Sequence, residues 1–139
     1  MRLALAICAL GMSGSAALAA DYIGFQSPTG NIHCVIFSGY EADSDGARCD
    51  IGEFTPSSVP APEDCEFDWG NAFWIASNGR RGGLACISDS VTDPGNPVLD
   101  YGQSVSAGGV TCISAKNGMT CQNAAGHGFT LSRGKQRVF

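Results

Sequence analysis

Cys112-Ile113-Ser114-Ala115-Lys116-Asn117-Gly118-Met119-Thr120-Cys121 is the stretch that decides what kind of fold this chain makes. Two cysteines enclose short apolar and β-branched residues around an Asn-Gly pair, the composition of a β-hairpin and its turn. If Cys112 and Cys121 face each other, pairing runs inward to Ser114 and Met119 and leaves the four residues 115–118 as the loop. Loops of that length are usually built on a type I turn, with Asn117 or Gly118 available for a left-handed position. A two-residue Asn117-Gly118 turn would instead set Cys112 opposite Asn123, and a bond between the cysteines would then need distortion.

Working outward, the other cysteines are Cys34, Cys49, Cys65 and Cys86, with Cys8 inside an apolar N-terminal segment. The six beyond that segment are an even number and read as three disulfides in an oxidising compartment. Six cysteines allow fifteen connectivities. The local logic of the hairpin favours a sequential scheme, Cys34 with Cys49, Cys65 with Cys86 and Cys112 with Cys121. Closing a loop of about 15 residues is worth ~3 kcal/mol in the chain-entropy model. No pair has the Cys-x-x-Cys spacing, so neither a zinc knuckle nor a dithiol redox site is suggested, and no metal or cofactor is expected.

Apart from the N-terminal segment, no stretch sustains a 3.6-residue apolar period, and glycines and prolines punctuate the chain. An all-β fold is expected, a small disulfide-stapled domain of short antiparallel strands in a barrel or a sandwich. The expected strands are residues 22–25, 32–37, 48–51, 72–76, 83–87, 98–101, 110–114, 119–123 and 128–133. One helical turn is conceivable at 58–63, broken by Pro60 and Pro62. Ser27 to Cys34 and Ser114 to Cys121 echo each other, each running through a Gly-bearing turn into a strand that ends in cysteine.

Residues 1–19 read as a signal peptide. Arg2 is the positive end, residues 3–10 the apolar stretch, and Ala17-Leu18-Ala19 the small-x-small cleavage site. Ile7 before Cys8 argues against a lipoprotein anchor. Residues 20–139 then form one domain, exported to the periplasm or secreted, with no transmembrane segment. The formal charge is −5, and loss of Arg2 makes it one unit more negative, which excludes nucleic acid as a natural partner. All 13 acidic residues lie between Asp21 and Asp100, whereas 101–139 carries only Lys116, Arg133, Lys135 and Arg137. Mutual compensation within one globule is the plain expectation for such an arrangement.

Several clusters invite a chemical reading, and each has a structural one beside it. Glu41-x-Asp43-x-Asp45-Gly46 opens like a calcium loop, but Gly52 stands where the closing carboxylate belongs. Glu63, Asp64, Glu66 and Asp68 crowd around Cys65, where a hydrolase needs two carboxylates at a set separation and a solvated rim needs nothing. Phe67, Trp69, Phe73 and Trp74 are a stacking platform or simply core. Arg80 and Arg81 follow an Asn-Gly turn and are able to grip an anion or to sit at an exposed tip. His127, between two glycines, faces a ligand or a neighbouring strand. The possible ligand contacts are therefore Trp69, Trp74, Arg80, Arg81 and His127, and no catalytic set is recognisable.

Six segments carry a resemblance: Phe25 to Cys34 (with Ser27-Pro28-Thr29-Gly30-Asn31-Ile32), Arg48 to Ile51, Cys65 to Gly70, Leu99 to Gly102, Gly118 to Cys121, and Gly126 to Arg133. In that order they are similar to a family of small secreted bacterial proteins known chiefly as a domain of unknown function. The resemblance implies an exported, cysteine-stapled domain and carries no catalytic residue, ligand or partner.

The leading expectation is a non-enzymatic binding module whose partner is an envelope or extracellular protein or a cell-wall fragment. The small, acidic, stapled build is analogous to that of lysozyme-type inhibitors, and an acidic face attracts a basic enzyme. The alternative is a small envelope hydrolase using Glu66 and Asp68 with His127.

Overall fold

The computed structural model describes residues 20–41, 44–56 and 59–139. Alternating apolar residues and frequent turns produce ten strands: β1 Asp21–Gln26, β2 Ile32–Ser38, β3 Gly46–Ile51, β4 Ala72–Ala76, β5 Gly83–Leu84, β6 Ser104–Ala107, β7 Val110–Ala115, β8 Gly118–Asn123, β9 Gly128–Ser132 and β10 Lys135–Val138. They form two antiparallel five-stranded meanders, β1 to β5 and β6 to β10, each in chain order. The sheets stay separate and face each other over a shared core, so of the two expected architectures the sandwich is the one found.

The period-2 alternation decides which side chains enter that core. Phe25, Ile36, Cys49 and Phe73 come from the first sheet, and Val110, Met119, Phe129 and Leu131 from the second. Phe73 and Phe129 meet across the interface with ring centroids 6.1 Å apart. The disulfides follow the sequential scheme, Cys34 with Cys49, Cys65 with Cys86 and Cys112 with Cys121. Two of them join directly opposed residues at the middle of a sheet, Cys34 with Cys49 between β2 and β3, and Cys112 with Cys121 between β7 and β8. Both point inward, and all four cysteines are fully buried. The echo between Ser27 to Cys34 and Ser114 to Cys121 thus marks the same device in each sheet, a turn leading into a strand pinned across its neighbour.

The deciding hairpin has Cys112 opposite Cys121, but pairing continues one step past Ser114 and Met119, to Ala115 opposite Gly118. The turn is therefore Lys116-Asn117 rather than four residues. Gly118 absorbs the geometry at φ 139°, and a Cβ there would stand 2.5 Å from the Leu131 carbonyl oxygen.

Three strand expectations are corrected. Residues 98–101 do not form a ladder: Val98 makes a single parallel bridge to Gln26, and the strand falls later, at β6. The 83–87 strand shortens to β5, with Ile87 bridging Asp68 in isolation. β10 was not expected, because its Lys135 and Arg137 are exposed and only Val138 reaches the core; charged outward residues suit an edge strand. At 58–63, Ser58 lies outside the described residues, and 59–62 has no regular structure and leads into a turn at 63–64 closed by Cys65 N–H to the Pro62 carbonyl. The described residues contain no helix, and so none long and apolar enough to cross a membrane. Residues 1–19 and Asp43 of the acidic loop also lie outside the described residues.

The link from β5 to β6 straps the outer face of the first sheet. Arg48 donates to both Asp50 oxygens at 2.9 Å, and also to the Asp89 carboxylate and carbonyl at 3.1 and 3.0 Å. Val91 N–H donates to Asp50 at 3.0 Å, and Asp93 N–H to His33 Nδ1 at 3.3 Å. The strap explains why Asp50 and His33, on the outward side of their strands, are buried. Burial opposes the Arg48 charge, but the hydrogen bonds and charges of Asp50 and Asp89 outweigh it and hold its pKa above the ordinary value.

Candidate functional site

One end of the sandwich opens into a cleft of about 600 Å³, within the usual range for small-ligand sites of ~300–1,000 Å³. Its walls are turns. The β1–β2 turn contributes Ser27, Thr29, Gly30 and Asn31, the chain after β3 contributes Glu53, the β7–β8 hairpin Lys116, and the end of β9 Ser132 and Arg133. Tyr101 stands at the rim, 44% exposed.

The wall is stiffened by local hydrogen bonds. Ser27 Oγ accepts the Ile32 amide at 3.1 Å and pairs with Thr29 Oγ1 at 3.2 Å, a Ser-led turn that holds the start of β2. Asn31 Nδ2 donates to the Glu53 carbonyl at 2.8 Å, and Glu53 N–H returns a bond to Asn31 Oδ1 at 2.7 Å. Thr55 N–H donates to the Arg133 carbonyl at 2.8 Å, tying the two sheets together beside the cleft. Across the mouth, Arg133 Nη2 donates to Glu53 Oε2. Both side chains are largely exposed, so the pair is weak and open to competition. Lys116 has no ion-pair partner among the described residues.

Beneath the turns the cleft rests on buried apolar residues, Ile32, Met119 and Leu131, with one hydroxyl among them. Ser114 is 1% exposed, and its strand neighbours Val110 and Cys112 point the same way, into the molecule. The buried polar residues are Ser27, His33, Asp50, Ser114 and Asn123. Four have side-chain hydrogen bonds: Ser27 to Ile32, His33 to Gly30, Asp50 to Arg48, and Asn123 to Ala76 and Gly79. Ser114 Oγ has none among the described residues. A buried hydroxyl without a partner costs about 1–3 kcal/mol, so folds rarely keep one without a use.

Charge is divided unevenly between the sheets, with Arg48, Arg80 and Arg81 offsetting part of the acidic excess of the first. The 13 acids between Asp21 and Asp100 belong to the half of the chain that builds the first sheet, and the second sheet carries the four cations of 101–139. Arg133 with Glu53 is the one ion pair joining the halves among the described residues. The cleft opens where a cationic hairpin end meets this single carboxylate.

None of Trp69, Trp74, Arg80, Arg81 and His127 lines the cleft. Trp74 lies on the outer face of the first sheet, opposite in direction to its core neighbour Phe73, beside Phe37 at 5.9 Å and over Gly46, where a Cβ would strike the indole. Tyr22 and Tyr40 complete that aromatic group around Phe37, at 5.2 and 6.3 Å. Trp69 is half-buried with Nε1 donating to the Val59 carbonyl at 3.1 Å, and Phe67 is exposed. Arg80 and Arg81 are exposed in the β4–β5 turn, and His127 is half-buried in the β8–β9 turn. Those two turns share the opposite end of the sandwich, joined by Asn123, which donates to Gly79 at 2.7 Å and accepts from His127 N–H at 3.1 Å. Glu66 and Asp68 are exposed beside the Cys65–Cys86 disulfide and share no hydrogen bond with His127. The close sulfurs of Cys34, Cys49 and Cys121 belong to disulfides and are not metal ligands.

Sequence reading passed over Ser114, Lys116, Arg133, Tyr101 and Glu53, none of which belongs to a catalytic or ligand pattern. One signal was available: four of the six segments that carry the family resemblance, those beginning at Phe25, Leu99, Gly118 and Gly126, each place a residue on the cleft.

The fold and staples define a small disulfide-bonded β-sandwich, of the kind that persists in oxidising, extracytoplasmic surroundings. Residues 4–139 match the model of a family of unknown function, DUF6636, and the chain belongs to that family. No protein of curated function and no solved structure matches the chain significantly.

Proposed function

We propose that this chain is an exported, non-enzymatic interaction module of the periplasm or extracellular space, and that its ligand enters the cleft between the β1–β2 turn and the β7–β8 hairpin. The observation that carries this reading is Ser114, a fully buried hydroxyl on the cleft floor with no hydrogen-bond partner among the described residues. A ligand polar atom reaching that depth would satisfy it, while exposed Tyr101 at the rim would cover apolar surface. Disulfide-pinned strands and stapled turns supply a site that is already formed, which lowers the ordering cost of binding. The hydrolase reading draws less support, because Glu66 and Asp68 are exposed and are not joined to His127 by any hydrogen bond. Envelope proteins and cell-wall fragments are the partners this reading favours.

The test is a pool of soluble envelope fragments titrated into oxidised, isotope-labelled protein while backbone amide shifts are followed. Shifts centred on Gly30, Ser114, Lys116 and Gly118 support the reading. Shifts centred on the Arg80 and His127 end, or turnover of a pool component, would overturn it.

A further inference from the structure

We infer that the cleft takes an acidic sugar, a carboxylate borne on a polyhydroxylated ring, and that Glu53 occupies the carboxylate's place until the ligand arrives. This rests on the cleft being the ligand site. The charge points one way: Lys116 has no ion-pair partner among the described residues, and Arg133 is engaged only by exposed Glu53. An incoming carboxylate gains both cations and displaces one weak surface contact, so the exchange favours the ligand.

The rest of the lining argues for a sugar rather than a bare anion. Ser27, Thr29, Asn31, Ser114 and Ser132 surround the space with hydroxyl and amide groups; those of Ser27, Thr29, Asn31 and Ser132 already hold partners within the fold, and Ser114 is the member with none among the described residues. Tyr101, 44% exposed at the rim, offers the apolar surface against which the less polar side of a pyranose would pack. Hydroxyl-rich walls, one aromatic and two cations at the mouth together describe a site for a ring with a single negative group.

The experiment uses pairs of sugars that differ in charge. N-acetylmuramic acid is compared with N-acetylglucosamine, and galacturonic acid with galactose, by amide-shift titration of the oxidised protein. The acidic member of at least one pair should bind about tenfold more tightly than its neutral twin, the worth of one charge-assisted bond. Which pair responds distinguishes a cell-wall sugar from a uronic-acid glycan. Lys116→Ala should erase the preference, and Glu53→Gln should tighten binding about threefold by freeing Arg133. Equal binding of acidic and neutral twins in the cleft would overturn the acidic-sugar inference and leave the ligand site standing. Binding of either twin outside the cleft, or of neither at millimolar concentration, would also overturn it, and the stability of Ser114→Ala then judges the site independently.

Discussion

Cys49 Sγ lies 3.6 Å from Cys121 Sγ, so the central disulfides of the two sheets touch across the core. Each sheet is pinned at its middle, and the pins pack against each other where Phe73 and Phe129 also meet. The sandwich is therefore pinned by covalent links within each sheet, and between the sheets the packing at this centre is joined by hydrogen bonds at both ends, Thr55 to Arg133 at the cleft and Asn123 to Gly79 opposite.

That contact predicts a specific rearrangement. In Cys112→Ser, the freed Cys121 thiolate stands beside the Cys34–Cys49 bond; its attack on Cys49 sulfur forms Cys49–Cys121 and releases Cys34 as thiolate. Non-reducing peptide mapping of this variant should find the new bridge. Finding only Cys34–Cys49 and a free Cys121 would mean that the contact does not support exchange.

Arg48 and the strap predict a large asymmetric loss. Arg48→Met leaves Asp50, 3% exposed, with a buried charge and without its two-bond partner, which should cost about 3–5 kcal/mol in urea unfolding. Asp89→Ala removes only the exposed arm of the network and should cost under about 1 kcal/mol. Equal losses would contradict the account of Asp50 as a group buried by the strap and held by Arg48.

Tyr22 predicts behaviour at alkaline pH. Tyr22 is 56% exposed, and desolvation of its covered part, against the pull of Arg48 and with smaller contributions from Asp89, Asp93 and Asp50, raises its pKa above the ordinary tyrosine value. A phenol whose folded pKa is raised contributes stability that is complete below the unfolded pKa and is lost as pH climbs through the folded one. Ultraviolet titration should show a late-ionising phase from Tyr22, and Tyr22→Phe should remove it. Persistence of the phase in Tyr22→Phe would contradict its assignment to Tyr22.

Much of the fold was legible because its signals are local. Ile32 to Phe37 and Ala72 to Ala76 alternate or run apolar between turn residues, and the cysteine spacings favoured the sequential bridges that formed. β10 escaped because an edge strand needs few apolar residues, and β6 because Ser104 and Ser106 carry no strand signal stronger than that of Val98 and Leu99. The cleft was less legible still. Ser114 is distinguished by burial without a partner, and Lys116, Glu53 and Arg133 by a meeting of turns far apart in sequence, neither of which any spacing encodes. The aromatic run divides between two settings, since Phe73 and Trp74 are adjacent in one strand and so occupy opposite faces, Phe73 in the core and Trp74 outside it.

The role of Ser27 separates wall from floor. Its hydroxyl is fully used by Thr29 and the Ile32 amide, so Ser27→Ala should destabilise the fold by about 1 kcal/mol. Differential unfolding in urea checks this, and an unchanged midpoint would mean that the turn does not depend on the hydroxyl.

Ser114→Ala is the measurement that tests the central claim most directly, taken as thermal stability of the free protein alongside affinity for the ligand found by titration. A hydroxyl kept for a ligand costs stability when nothing is bound, so the variant should melt higher than the parent and bind less tightly. A variant that melts lower, with affinity unchanged, would show that Ser114 serves the fold and would contradict the cleft as a binding site.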